Sequence, residues 1–76
     1  MSINIESSKY NDEIKKVLSK VKARRLFKNY NQVHLAKKLN ITQHGYSKLE
    51  SGESVVTIEK LFIISEVLGV DIRHFF

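Results

Sequence analysis

The stretch "NQVHLAKKLNITQHGYSKLESG", Asn31 to Gly52, decides how this chain folds. It divides into two short runs of helical spacing. Val33, Leu35, Ala36 and Leu39 form the apolar set of the first, and Tyr46 and Leu49 that of the second. Asn31 stands before the first run and Thr42 before the second, each with a side-chain oxygen that can accept a free backbone N–H as an N-cap. Asn40 and Gly52 close the runs, since both tolerate positive φ. Neither run is long enough to be a stable helix alone. The link between them, "NIT", is so short that it forces a sharp crossing, which is helix-turn-helix geometry.

The flanking sequence supplies what these two helices lean on. Upstream, Ile14, Val17, Leu18, Val21 and Arg25 recur on one face of a helix expected from about Asn11 to Lys28, with Asn29 as its left-handed terminator. Downstream, Thr57 caps a helix with Glu59 in its first turn, where an acid suits the dipole. Ile58, Leu61, Phe62, Ile64, Ser65 and Leu68 are its expected core face, and Gly69 its stop. Asp71 caps a last short turn, "IRHFF". "VVTI" is the one strand-like rival, and four residues do not overturn the pattern. The expected fold is all-α, a compact five-helix domain over residues 13–76 with the paired helices at about 32–51. Residues 1–12, "MSINIESSKYND", show no period and read as an arm.

Composition narrows the partners. A chain of 76 residues makes one small domain with a modest core, for which pairing is a common source of stability. It has no Cys, so neither a disulfide nor a Cys-ligated zinc supports it. Thirteen Lys and Arg against eight Asp and Glu give a net charge of +5, which favours polyanionic partners, although a solvated Lys-rich surface has the same balance. No apolar run approaches the roughly 18 residues of a membrane span, and the start of the chain lacks the features of a signal peptide. A cytoplasmic protein is expected, with no membrane association.

If Ala36 marks the closest approach of the two helices and Ile41, Tyr46 and Leu49 fill the space beneath, then Gln43, His44, Ser47 and Lys48 face outward. Gln can bond an adenine edge in two places, Lys reaches guanine O6 and N7, and Ser and His serve either role. Free N–H groups at a helix start also hold phosphate. The competing reading is a plain solvated helix face. Catalysis finds no footing: there is no Gly-rich phosphate loop, nucleophile elbow or metal-ligand spacing. His34, His44 and His74 come with no Cys or carboxylate cluster, so no metal site is expected, and neither a cofactor nor a small-molecule ligand is implied.

Taken together, "Q..LA..L" from Gln32 to Leu39, Thr42–Gln43, "LESG" at 49–52 and "LGVDIRHFF" at 68–76 resemble the helix-turn-helix of the phage lambda repressor and Cro type, the xenobiotic-response-element family. The likeness runs from about Val17 to Phe76. It implies that Gln43, His44 and Lys48 reach base edges. Gln32 would touch a phosphate while buttressing Gln43, and Thr42, Ser47, Lys37 and Lys38 would make backbone or peripheral contacts. Arg25 and Glu50 match a buried ion pair, and Val70, Ile72, Phe75 and Phe76 a dimer contact. Asn40 stands where Gly is usual and Tyr46 where Ile or Val is usual. Gly45 lies inside the recognition helix, and "ESVV" lacks the usual basic and Pro residues, leaving Lys22, Arg24, Lys28, Lys37 and Lys38 to compensate.

The function so implied is a sequence-specific transcriptional regulator, a homodimer on a near-palindromic operator with recognition helices about 34 Å apart. It would repress by occluding RNA polymerase or activate by touching it. The length and layout resemble phage or plasmid repressors and restriction-modification controllers. The alternative is an antitoxin-type interaction module of a toxin–antitoxin pair with secondary DNA binding, gripping its partner through the arm or the terminal "FF". RNA or nonspecific nucleic-acid binding is a weaker third.

Overall fold

A computed structural model describes residues 10–76. Four α-helices follow one another: α1 Asn11–Phe27, α2 Gln32–Leu39, α3 Gln43–Ser51 and α4 Ile58–Leu68. A 3-10 turn, Ile72–Phe75, comes last, and no strand occurs among the described residues. The class is all-α as expected, but the expected fifth helix is a single turn. Its bonds, His74 N to Asp71 O and Phe76 N to Arg73 O, span three residues, the tighter pattern that short runs adopt. Residues 1–9 of the expected arm lie outside the described residues. Asn11 and Asp12 belong to the first turn of α1, where Asp12 and Glu13 face the positive end of the dipole.

The same closure ends all four helices. Asn29, Asn40, Gly52 and Gly69 are left-handed, with φ of 61°, 58°, 87° and 70°. At each, the N–H of the left-handed residue reaches back three residues and the next N–H reaches back five, as in Tyr30 N to Arg25 O and Ile41 N to Ala36 O. Tyr30, Ile41 and Val70, which follow three of these closures, pack against the core and fix how the chain leaves each helix. The starts are equally local: Asn31 accepts from His34 N, Thr42 from Gly45 N, Thr57 from Lys60 N and Asp71 from Arg73 N.

The core draws on every element: Leu18 and Val21 from α1, Leu35, Ala36 and Leu39 from α2, Tyr46 and Leu49 from α3, and Leu61, Ile64 and Leu68 from α4. Phe75 completes it at 0% exposure. The 3-10 turn lies against α1 and α4, and this corrects the expectation that Phe75 forms a dimer contact: its ring is a core side chain, and Phe76 is the exposed member of the pair. Ile58 and Phe62 depart from expectation in the other direction. Both were expected inside, yet they are 62% and 56% exposed, because α4 turns Leu61, Ile64, Ser65 and Leu68 inward. Ile14, one turn before the buried part of α1, is also largely exposed.

Candidate nucleic-acid interface

Helices α2 and α3 are separated by Asn40, Ile41 and Thr42 alone. Ala36, 2% exposed, lets the two helices approach closely, and Tyr46 and Leu49 turn under α3 into the core. Gln43, His44, Ser47 and Lys48 therefore share the opposite side, at the i, i+1, i+4 and i+5 positions of one helix face. Gln43, His44 and Lys48 are exposed, and Ser47 is half-buried. Thr42 is exposed while its Oγ1 accepts from Gly45 N at 3.0 Å, and its hydroxyl hydrogen remains available to an acceptor outside. Lys37 and Lys38 are exposed in the last turn of α2.

What holds this face in place is a polar junction on the inner side of α3. Arg25 of α1 donates to Glu50 through Nε to Oε2 at 2.8 Å and through Nη2 to Oε1 at 3.0 Å. Tyr46, one turn before Glu50, donates its hydroxyl to Oε2 at 2.8 Å. Gln32, the first residue of α2, donates Nε2 to Oε1 at 3.2 Å. Each carboxylate oxygen thus accepts twice, and the four donors come from three helices. The remaining end of Arg25 donates to the Tyr30 carbonyl at 2.8 Å. Among the described residues no buried side-chain nitrogen or oxygen lacks a partner.

The charges of the junction respond as burial and hydrogen bonding require. Burial alone would push the Glu50 carboxyl up, but the donors from Arg25, Tyr46 and Gln32 outweigh it and hold the carboxyl below its ordinary value. The hydrogen bond to Glu50 raises Arg25, which stays a cation. Burial, reinforced by the neighbouring carboxylate charge, pushes the Tyr46 phenol well above its ordinary value. The phenol is therefore a neutral donor near pH 7.

Several expected surface roles are rearranged. The side chain of Gln32 is tied to Glu50 and not to Gln43, and it is only partly exposed. One of its two amide hydrogens is taken, leaving the other and the carbonyl for a ligand. Arg24 is partly engaged: its Nε donates to the Leu68 carbonyl at 3.1 Å and its guanidinium sits 4.9 Å from the Phe27 ring centroid. Lys28 lies over Tyr30, with Nζ 5.9 Å from the ring centroid. Lys22 is exposed. A Cβ on Gly45 would meet Thr42 Oγ1 and Ile41 Cβ, so its missing side chain lies on the side of the turn. The Tyr46 hydroxyl is the member of the junction that sequence reasoning left without a partner, and its spacing of four from Glu50 was the available signal.

No group of three or more metal-ligating side chains gathers among the described residues, and no helix there is long and apolar enough to cross a membrane. A family model described as helix-turn-helix matches residues 21–75 of the chain. Comparisons with curated proteins and with solved structures give no match.

Proposed function

For a chain that belongs to the Cro/C1-type helix-turn-helix family of DNA-binding regulators, we propose sequence-specific binding as a homodimer to a near-palindromic operator. Gln43, His44 and Lys48 read base edges in the major groove, which is about 12 Å wide. Thr42, Ser47 and the free amide hydrogen of Gln32 contact the phosphate backbone, and Lys37 and Lys38 add long-range attraction. The observation that carries the reading is the exposed polar face of α3, backed by a junction that fixes its rotation against α1 and α2.

Each part of this site has a separate task. Phosphate contacts set register and orientation, base contacts discriminate, and the Arg25–Glu50–Tyr46 junction touches no DNA and only holds the reader in place. An operator-bound dimer represses where its site overlaps that of RNA polymerase and activates where the polymerase lies beside it. Selection of bound sequences from a random duplex pool tests the whole reading. The expected product is a two-fold-symmetric consensus with half-sites about one helical turn apart, bound with an affinity that falls steeply with salt. A pool that shows no enrichment, with equal gel shifts for promoter and random DNA, would overturn it.

A further inference from the structure

Along their outer sides α2 and α4 leave an open cleft of about 500 Å³. Tyr30, His34 and Lys38, at intervals of four, form one wall, and Ile63, Glu66 and Val67 form the other. Ile63 and Val67 are half-buried against the core and supply an apolar floor. The Tyr30 and His34 ring centroids are 4.3 Å apart with their planes at 37°, and Lys28 Nζ stands over the Tyr30 ring at 5.9 Å. Tyr30 itself packs against the core, so this aromatic wall is in place before anything binds. Small-molecule sites share a volume of about 300–1,000 Å³, an apolar lining and a few convergent polar groups.

The charged groups of the cleft are opposite in sign and uncommitted. Lys38 on α2 and Glu66 on α4 both line it, yet no ion pair joins them, and neither side chain has another partner among the described residues. The Tyr30 hydroxyl and the His34 ring nitrogens likewise have no hydrogen-bond partner there. An exposed Lys–Glu contact would gain little, so both charges stay open to a ligand. A phosphate would meet Lys38 but be repelled by Glu66. A neutral apolar molecule would leave both charges unused. A molecule with an aromatic body, one ammonium and one carboxylate uses the floor, the ring wall and both charges together.

We infer that this cleft binds a small aromatic zwitterion, the chemical class of the aromatic amino acids. The ring lies on Ile63 and Val67 against the Tyr30–His34 wall, the carboxylate meets Lys38, and the ammonium meets Glu66. No spacing in the sequence announces the site, because its walls belong to helices far apart in the chain and meet only in the fold. The inference rests on neither the operator nor the homodimer reading, and selection from a duplex pool can succeed or fail without touching it.

Titration of the full, nitrogen-15-labelled chain with L-phenylalanine and with L-tryptophan, followed by amide chemical shifts, tests it. A ligand of this size bound with ordinary efficiency half-saturates at about 1 mM. Saturable shifts should centre on Tyr30, His34, Lys38 and the 63–67 turn of α4. Two analogues of L-phenylalanine isolate the charges: 3-phenylpropionate lacks the ammonium and 2-phenylethylamine lacks the carboxylate. Each should bind at least about threefold more weakly than the amino acid. Glu66→Gln should abolish the preference over 3-phenylpropionate and keep that over 2-phenylethylamine, and Lys38→Gln should do the reverse. Both positions are exposed, and circular-dichroism melts verify that each variant folds. No saturable shift for either amino acid up to about 20 mM, shifts centred elsewhere on the chain, or analogues that bind as well as the amino acid would each overturn the proposed site.

Discussion

Replacing Glu50 with Gln preserves the size of the side chain and removes the charge on which four donors converge. The Arg25 and Glu50 side chains are 7% and 3% exposed, so solvent does little to screen what is lost. Whichever way the new amide turns, its NH₂ faces donors. In place of Oε2 it opposes Arg25 Nε and the Tyr46 hydroxyl; in place of Oε1 it opposes Arg25 Nη2 and Gln32 Nε2. The phenol can rotate to accept, but the guanidinium cannot, and its charge is stranded. Breaking one side of a buried pair costs about 3–5 kcal/mol. At about 0.05–0.15 kcal/mol per residue, a chain of this size has about 4–11 kcal/mol in total, so Glu50→Gln should lose a large share of its stability. Arg25→Met should lose a similar amount. The double change Arg25→Met with Glu50→Leu removes both charges, and its loss should fall short of the sum of the single losses by at least about 2 kcal/mol. It should not return to wild type, because the Tyr46 hydroxyl is left without its acceptor. Urea unfolding at pH 7, followed by circular dichroism, measures all of these. A loss below about 1 kcal/mol for Glu50→Gln, or single losses that simply add in the double variant, would refute the reasoning.

The same junction sets a pH window. Glu50 is held below its ordinary value of 4.5, so its stabilisation is complete above that value and is lost as pH falls through the lowered one. Tyr46 is raised above its ordinary 10.0, so its share is intact below that value and declines as pH climbs past it. Urea midpoints against pH should fall at both ends, with the acid limb reduced in Glu50→Gln and the alkaline limb reduced in Tyr46→Phe. Lys48→Ala should relax preference at one position in each half-site by about 1–3 kcal/mol, read by competition between single-base operator variants. Loss spread evenly over all sequences would instead make Lys48 a backbone contact. Gly45→Ala should raise stability by a few tenths of a kcal/mol: helix propensity favours Ala by up to about 1 kcal/mol, less the squeeze of a Cβ placed 3.2 Å from Thr42 Oγ1. A fall in melting temperature would show that the Thr42 cap cannot give way. Gly52→Ala, at φ of 87°, should cost about 1–2 kcal/mol by the same thermal melt.

Much of the backbone was legible because its signals are local. Asn31, Thr42, Thr57 and Asp71 announce helix starts through the oxygen each can offer to a nearby N–H, and Asn29, Asn40, Gly52 and Gly69 announce ends through the φ each tolerates. Such chemistry is complete within a few residues and needs no knowledge of the rest of the chain. What lay hidden depends on which of two alternatives the tertiary packing selects. Helix α4 is apolar on more than one side, and periodicity cannot say which side the core covers, so the pattern alone puts Ile58 and Phe62 inside. Phe75 ends a 3-10 turn and Phe76 follows it directly; successive side chains at such a turn point about 120° apart, and nothing local decides which enters the core. In the candidate site the outward set of α3 followed from the inward set, since one face determines the other. The attachment of Gln32 to Glu50 did not follow, because a flexible side chain at a helix start has several polar neighbours within reach.

The convergence of three helices on one carboxylate also limits how the domain can adapt. With both Glu50 oxygens saturated and Arg25 bonded at each end, α3 has no alternative seat into which it could swing without abandoning donors. As the proposed reading head, α3 would meet the duplex as a preformed shape, with little conformational entropy lost on contact. In the proposed dimer, a misfit in the spacing of two half-sites would then fall on bending or twisting of the DNA. The sequence of base pairs that no side chain touches would thereby help decide which operators are occupied.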